Sequence, residues 1–555
     1  MLKYRLLTIG LCGICSLLIV QSTEASPNDN LQDARRQAQE RQERLEEPRV
    51  QVYSGDYKEN LPEKDEDVHF SLRHVYIANQ TEKFQWLERR LRAYEYKEYS
   101  LVGINNLLNS MNNDLLRRGF STTRIVVPEQ NLSDGELQLI LVEGRIGKIG
   151  FTDNSCKIYW KSVFPFREGD ILNIREIEQG LEQMKRLLSQ DVKVKLVPSD
   201  REGYTDIILT VIQGDNVYGS VSFDDSGLET TGKYQWYANF GIDNPFFQQD
   251  NLRLGINLDG ANSGYEKGTR EHNVFYSIPY GRHTFSLGYQ QSKYHQQMKV
   301  LPITFINSGK SDVTKFTWDY VLHRTANMKT SMDFSIRKRN SHTYINDMEL
   351  PVQRLHATAV ELGYGERIYI GKAMAYFRLG HRFGVGWLGA QKDYDYESAP
   401  TTRYNMWLFD ADFCQPFMFS HRAAQFTCSL HGQWTQENRQ LYGVDMLSIG
   451  NRYTVRGFSG KYTLMGSNGW FLRNEVVSQL PHCNSKIYLG WDVGSVYGKG
   501  SEVYNGHTLG GVALGIRGRM GKNISYDVFA AMPVIKPDGF RYSQLTGGGW
   551  MSFAF

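Results

Sequence analysis

From residue 217 to the C-terminus, apolar and polar side chains alternate with a period of two, the pattern of strands with two unlike faces. Phe316, Trp318, Tyr320 and Leu322 share one face, against Lys315, Thr317 and Asp319 on the other. Phe334 and Ile336 likewise oppose Asp333, Ser335, Arg337 and Arg339. Sixteen such segments can be marked, starting near residues 217, 232, 252, 272, 282, 312, 328, 355, 373, 404, 425, 468, 485, 508, 523 and 545. Connections after even-numbered segments are short (281, 323–327, 481–484, 521–522). Most of those after odd-numbered segments are long (291–311, 340–354, 385–403, 435–467). Charges on the minority face suit a water-filled interior, and the split of loop lengths suits an even-stranded antiparallel membrane barrel. The last segment alternates Met551, Phe553 and Phe555 and ends on an aromatic residue.

The pattern before residue 217 is different. Residues 70–77 alternate as a strand, and 101–118 carry helical spacing through Ile104, Leu107, Leu108, Met111 and Leu115. Strands follow at 123–127 and 136–146. The same order recurs as a strand at 148–151, a helix at 174–188 and strands at 192–197 and 205–212. This predicts two copies of one α/β module of about 70 residues each. Further upstream, residues 31–47 are strong helix formers that stop before Pro48. That helix is polar all round, so it suits either bulk solvent or the water-filled inside of a polar lumen. Residues 48–68 are charged and aperiodic, as in a flexible linker.

Composition narrows the classes. A chain of 555 residues exceeds one ordinary core, and a net charge of +3 without a basic stripe argues against a nucleic-acid partner. Mean hydropathy is −0.46, and beyond the N-terminus no apolar run is long enough for a membrane helix. Lys3 and Arg5, the apolar stretch 6–20 and Thr23-Glu24-Ala25 read as a secretory signal, which would carry Cys12 and Cys15 away. Cys156, Cys414, Cys428 and Cys483 lack metal-ligand spacing, and parity puts Cys414 and Cys428 on opposite strand faces, against a disulfide. No phosphate-cradling loop or nucleophile elbow is present, and Asp224-Asp225 reads as solvated turn residues. No catalytic residue, cofactor or metal is expected, and the chain is not expected to be an enzyme.

The longest connection holds Gly450-Asn-Arg-Tyr-Thr-Val-Arg-Gly-Phe458, with two arginines, two glycines and two aromatics. A solvated loop does not need this mixture. A loop folded back into a polar cavity does, because Arg456 would seek a carboxylate and Gly457 would permit close backbone approach. In the segment 485–497, Ile487, Leu489, Trp491 and Val493 form an apolar face, which turns Asp492 inward. Parity alone leaves Asp492 either solvated in the lumen or paired with Arg456.

Four stretches resemble a known family. They are Gly119-Phe-Ser-Thr-Thr-Arg-Ile-Val-Val-Pro-Glu-Gln130 with Val142-Glu-Gly-Arg-Ile146, then 448–458 with its Val455-to-Phe458 core, Gly469-Trp-Phe-Leu-Arg-Asn-Glu475, and Leu489-Gly-Trp-Asp-Val-Gly494. The chain is similar to the two-partner secretion (TpsB) transporters of the Omp85 superfamily, of ShlB/FhaC/HecB haemolysin secretion/activation type. The resemblance implies α+β periplasmic POTRA modules followed by an all-β, 16-stranded antiparallel transmembrane barrel. Its expected parts are a signal peptide (1–25), a plug helix (26–47), a linker (48–69), POTRA 1 (70–146), POTRA 2 (147–214), and a barrel (215–555) with loop 6 at 435–467. It favours a loop-6 lock of Arg456 with Asp492, supported by Val455, Gly457, Phe458 and Glu475. The plug helix is expected to act through Arg35, Arg36, Glu40 and Arg44. One departure is Asp243-Asn-Pro-Phe-Phe-Gln-Gln249, where the family turn is richer in glycine after Asn-Pro.

The implied function is an outer-membrane pore of a Gram-negative cell, translocating an unfolded exoprotein without ATP. That partner carries an N-terminal secretion domain and is a haemolysin, an adhesin or a contact-dependent inhibition toxin. Outer-membrane lipid surrounds the barrel, and periplasmic chaperones and the barrel-assembly machinery act in biogenesis. The alternative within the superfamily is an insertase for outer-membrane proteins, which usually carries more than two POTRA modules.

Overall fold

The computed structural model describes residues 27–52, 69–152, 159–260, 264, 266–300, 303–396 and 399–555. The expected signal at 1–25, residues 53–68 of the linker, and Cys156 lie outside the described residues. Helix α1 (Pro27–Glu46) comes first. The first module holds β1 (His69–Leu72), β2 (His74–Ile77), α2 (Trp86–Leu91), β3 (Lys97–Ser100), α3 (Leu101–Arg117), β4 (Arg124–Val126) and β5 (Glu136–Val142). The second holds β6 (Arg145–Phe151), α4 (Ile174–Lys185), β7 (Gln190–Pro198) and β8 (Tyr204–Gln213).

The internal repeat is visible as topology. In each three-stranded sheet the third strand lies in the middle, parallel to the first and antiparallel to the second: β2-β5-β4 and β6-β8-β7. One face of α3 (Leu107, Met111, Leu115) packs on Leu137, Leu139 and Leu141 of β5, and α2 adds Leu87 and Leu91. Ser100 and Asn173 cap α3 and α4 by accepting from Gly103 N and Arg175 N.

Two strands differ from the sequence pattern. The alternation over 70–77 is split at Arg73, because the Gly135 carbonyl accepts from both Arg73 N (2.7 Å) and His74 N (3.1 Å). The chain thereby passes from pairing with β3 to pairing with β5. The run 136–146 breaks at Gly144, whose N–H donates to Thr123 Oγ1, and the second module starts at Arg145.

The barrel closes through β9 (Val217–Asp224), β10 (Gln235–Asp243), β11 (Asn251–Asp259), β12 (Lys267–Tyr280), β13 (His283–Val300), β14 (Ile303–Arg324) and β15 (Met328–Ile345). The short β16 (Met348–Glu349) extends β15 as a hairpin. Then come β17 (Leu355–Ile370), β18 (Ala373–Val385), β19 (Asn405–Phe419) and β20 (Arg422–Thr435). After β21 (Leu447–Ile449) and β22 (Leu464–Gly466), which pair with each other, the wall resumes. It finishes with β23 (Asn468–Gln479), β24 (Ser485–Tyr497), β25 (Thr508–Met520), β26 (Ile524–Ile535) and β27 (Thr546–Ala554). Sixteen of the described strands make the antiparallel wall. The seam is β27 against β9, extended by Phe555, which exchanges two hydrogen bonds of 2.9 Å with Gly219.

Outward rows carry Trp236, Leu254, Leu287, Trp318 and Leu489, all exposed, whereas Asp412, Arg339 and Asp492 are buried on the inward face. Register places Cys428 opposite the outward Phe413, while Cys414 lies beside Gln425 on the other face. The segments 291–311 and 340–354, read as long loops, are instead continuations of strands. β13 and β14 pair up to Val300 and Ile303, and β15 turns at Asn346-Asp347 into β16. Alternation reports only which face is buried. Above the apolar band both faces meet water, so a ladder can continue with no hydrophobic period to reveal it.

The second module abuts one end of the barrel through charge. Glu182 of α4 meets Arg324 Nη2 at 2.7 Å and Lys329 Nζ at 2.6 Å, and Glu176 meets Arg282 at 3.2 Å. Burial alone would raise the Glu182 carboxyl, but the Lys329 and Arg324 cations outweigh it and hold it well below the usual carboxylate range. A depressed carboxyl stabilises fully above the ordinary glutamate value of about 4.3 and ceases to do so as pH falls through the depressed one. Acidification across that window should therefore loosen this module from the barrel, read as a broadened distance distribution between spin labels on the two. Glu182→Gln should show the loosened distribution already at neutral pH. A distribution indifferent to both changes would contradict the contact.

Candidate functional site

The connection between β20 and β23 folds back inside the wall. Its β21–β22 hairpin holds a tip in which Gly450 N and Asn451 N both donate to Thr454 Oγ1, and Gly460 N donates to Gly450 O. Val455 and Phe458 sit in an apolar cluster with Leu447, Ile449, Leu464, Phe471, Val496 and Leu509. Between these two anchors, Arg456 is aimed at the wall. Its Nε donates to Asp492 Oδ2 (2.7 Å), its Nη2 to Asp492 Oδ1 (2.8 Å), and its backbone N–H to Asp492 Oδ2 (2.9 Å). Nη1 reaches Glu475 Oε2 (2.8 Å), and Nη2 also donates to Asn474 O (3.0 Å). Both Arg456 and Asp492 are buried. This is a fork-to-fork pair with two further guanidinium N–H groups taken by Glu475 and the Asn474 carbonyl, the kind of support that lets a buried ion pair hold its geometry.

Two glycines make room for it. A Cβ on Gly490 would lie 2.2 Å from Arg456 Nη2. Gly457 has φ +100°, and a Cβ there would meet Met532 O at 2.6 Å. On the other side of the tip, Arg452 Nη2 donates to Asp225 Oδ1 (2.6 Å), which also accepts from Gly549 N (3.0 Å) at the barrel seam. Arg473 Nη1 donates to Arg452 O (2.7 Å) from β23.

Helix α1 lies in the lumen beside this loop. Its first turns meet the loop end of the barrel, with Asn30 against Met465 and Asp29 accepting from Ser292 Oγ at 3.4 Å. Its C-terminus reaches the module end, where Glu47, just past the helix, meets Lys329 (2.7 Å) and Arg367 (2.5 Å). Twenty residues at 1.5 Å each span about 30 Å, the thickness of a bilayer's hydrocarbon core. Arg35 stacks on Tyr237 at 3.5 Å and faces Asp224 at 3.9 Å. Arg44 Nε donates to Asp412 Oδ2 at 2.9 Å, and Glu40 lies 4.0 Å from Lys315. Arg36 pairs along the helix with Asp33, and Asp33 accepts from Arg339 Nη2 of the wall at 2.6 Å. Arg41 Nη2 donates to Tyr453 O (3.2 Å), so helix and loop touch directly. Arg367 Nη2 donates to Arg44 O (3.1 Å) at the helix C-terminus, where a cation also complements the helix dipole.

Residues 203–518 match the family model for the haemolysin secretion/activation protein ShlB/FhaC/HecB. The chain belongs to that family. Residues 70–144 match the ShlB-type POTRA domain and 145–198 a POTRA domain. The chain is 36% identical to the outer membrane transporter CdiB-2 of Burkholderia pseudomallei, over 85% of this chain and 82% of that protein. It is 26% identical to the hemolysin transporter protein HpmB of Proteus mirabilis, over 76% of this chain and 74% of that one. Its fold is similar to that of CdiB from Escherichia coli, with a TM-score of 0.86 at 25% identity, covering 96% of this chain and 99% of that one. This ShlB/FhaC/HecB-type chain is an outer-membrane transporter of two-partner secretion, with its POTRA modules in the periplasm. The family is one of transporters, not enzymes.

In this transporter the expected residues Arg456, Asp492, Glu475, Val455, Gly457 and Phe458 converge on one wall, and Arg35, Glu40 and Arg44 face the lumen lining. Arg36 is different, because its partner is Asp33 on its own helix. Asp224-Asp225, read from sequence as solvated turn residues, are instead tied to Arg35 and Arg452. Parity could have found Asp224, since Val221 and Phe223 face outward and leave it inward. Asp33, Arg41 and Glu47 were missed because one charged residue in the polar stretch 31–47 looks like the next, and Arg339 and Asp412 were not singled out because parity turns a wall charge inward without naming its partner.

Arg456→Ala leaves the buried Asp492 carboxylate without its fork, and Asp492→Ala leaves the buried Arg456 with Glu475 as its one carboxylate, so each should lower the opening free energy of the loop, by up to about 3–5 kcal/mol. The double variant should fall well short of the sum. Native-state hydrogen exchange over 450–458 in the detergent-solubilised protein measures this. Additive losses would refute the pairing.

Proposed function

We propose that this chain exports an unfolded partner exoprotein, of haemolysin, adhesin or contact-dependent inhibition toxin type, through its barrel and without ATP. The observation that carries this reading is the charge-matched helix α1 along the lumen, which has to leave before a polypeptide can pass. Its attachments are polar, so water entering the lumen can take the place of each as the helix leaves, and the helix can be held at rest and still be removable. In this reading Arg35, Arg36, Glu40 and Arg44 belong to a plug, and the Arg456–Asp492 pair is the lock that fixes loop 6. The names of relatives, an outer membrane transporter CdiB-2 and a hemolysin transporter protein, support secreted proteins as cargo.

The exoprotein enters as an extended chain carrying its N-terminal secretion domain. It is met first by the POTRA modules, where strand addition to a sheet edge binds main chain while tolerating varied sequence. Direction comes from folding outside, because a folded segment cannot re-enter a narrow pore.

Removal of residues 27–46 should raise single-channel conductance in planar bilayers several-fold over the intact protein. Unchanged conductance would refute the plug. Co-expression with candidate exoproteins, scored by surface exposure of each, identifies the cargo; surface delivery that persists without this chain would refute the exporter.

A further inference from the structure

The turn 244–249 joins β10 to β11 at the periplasmic end and departs from the glycine-rich turn its family resemblance implies. Its backbone is left-handed at Asn244 (φ 57°), Phe247 (φ 61°) and Gln249 (φ 60°). Asparagine tolerates that region, but a bulky phenylalanine is strained in it and glycine would sit there freely. The turn is nonetheless closely held. Asn244 N donates to Asp250 O (2.7 Å), Gln249 N to Asn244 Oδ1 (2.8 Å), and the Asp250 carboxylate accepts from Phe246 N and Gln248 N (3.3 Å each).

Phe246 is 65% exposed and Phe247 54%. Two neighbouring phenylalanines in a rigid turn, one strained and both left in the open, gain nothing from water. Their surroundings show what they do gain from. The Phe246 ring stands edge-on to Tyr276, with centroids 6.0 Å apart. Tyr276 is in register with Leu252, in the same outward row of the wall as Leu254, Ile256 and Leu258. Phe246 therefore continues the lipid-facing surface past the strand ends, at the depth where barrels carry their aromatic girdle, with the exposed Phe247 next to it in the chain.

The same turn holds the second POTRA module. Arg186 Nη2 donates to Gln249 O (2.8 Å), Ser162 Oγ to Gln248 O (3.4 Å), and Ser189 N to Asp243 Oδ2 (2.9 Å). Leu188, in the POTRA segment making these contacts, is 75% exposed.

We propose that the turn 244–249 is a membrane anchor, with Phe246 and Phe247 set in the phospholipid of the periplasmic leaflet, fixing the depth and tilt of POTRA 2 at the barrel mouth. Phospholipid acyl chains are the occupant because the patch is continuous with the barrel's own lipid-facing rows.

The test replaces Phe246 or Phe247, one at a time, by photoreactive p-benzoylphenylalanine, which keeps the aromatic bulk. The full-length protein is reconstituted in phosphatidylethanolamine and phosphatidylglycerol vesicles, irradiated and analysed by mass spectrometry. Phospholipid adducts are expected at both positions at about the yield of the same probe at Leu254. They should be about tenfold above the probe at Tyr96, an exposed tyrosine of the first POTRA module. Yields no higher than at Tyr96 would overturn the proposal, and so would crosslinks to the protein's own chain in place of lipid. Independently, the double variant Phe246→Gln/Phe247→Gln should widen the POTRA 2–barrel spin-label distances in vesicles while heat-modifiable mobility still reports a closed barrel. An unchanged distribution in that closed barrel would equally overturn it.

Discussion

A sheet closed in lipid leaves its inward charges facing one another across a single lumen, and satisfying those charges constrains everything else in this molecule. The wall meets part of the demand itself. Arg378 bridges Asp333 and Glu361, and Glu361 also holds Arg382. The rest is met by elements that are not wall. Helix α1 brings Arg35 and Arg44 to Asp224 and Asp412, and Asp33 to Arg339. The folded-in loop brings Arg456 to Asp492 and Arg452 to Asp225. An apolar helix in the same place would strand these charges, which is why the least hydrophobic of the described helices is the one inside the barrel.

The lumenal elements share partners. Arg41 of the helix donates to the Tyr453 carbonyl of the loop, and Lys329 holds both Glu47 beyond the helix end and Glu182 of POTRA 2. The stretch after the helix is tied to the same module, with Val52 N donating to Glu178 Oε1 at 2.8 Å. Helix, loop, wall and POTRA 2 thus form one connected set of charge-assisted contacts. The two ends of α1 differ in their partners: near the loop Asp29 and Asp33 are held by wall residues, and at the periplasmic end the chain is clamped by ion pairs shared with a module. Movement of that module and release of the helix therefore draw on the same lysine.

The barrel's strand number was legible because lipid outside and polar contents inside impose a period of two on every strand, and Asp492 could be turned inward on that ground alone. The POTRA repeat was legible from the recurring order of helix and strand periods. Strand ends were less legible. β13 and β14 run on past the apolar band, where both faces are wet, and Arg73 interrupts a continuous alternation because one carbonyl serves two N–H groups. Periodicity did not mark which helix residues meet the wall, since every face of 31–47 is polar and only the wall decides which charges meet.

The sequence by itself determined the class of fold, the inward direction of Asp492, and the need of Arg456 for a carboxylate. Periodicity records which side of each strand meets lipid, and that is a local property. The family resemblance, not periodicity, pointed Arg456 to Asp492 and Glu475; tertiary structure alone decided that the Asn474 carbonyl also accepts from Arg456 and that Asp225 at the seam serves Arg452. Pairing across a lumen depends on strand register, tilt and closure, summed over segments hundreds of residues apart. No local period carries that sum.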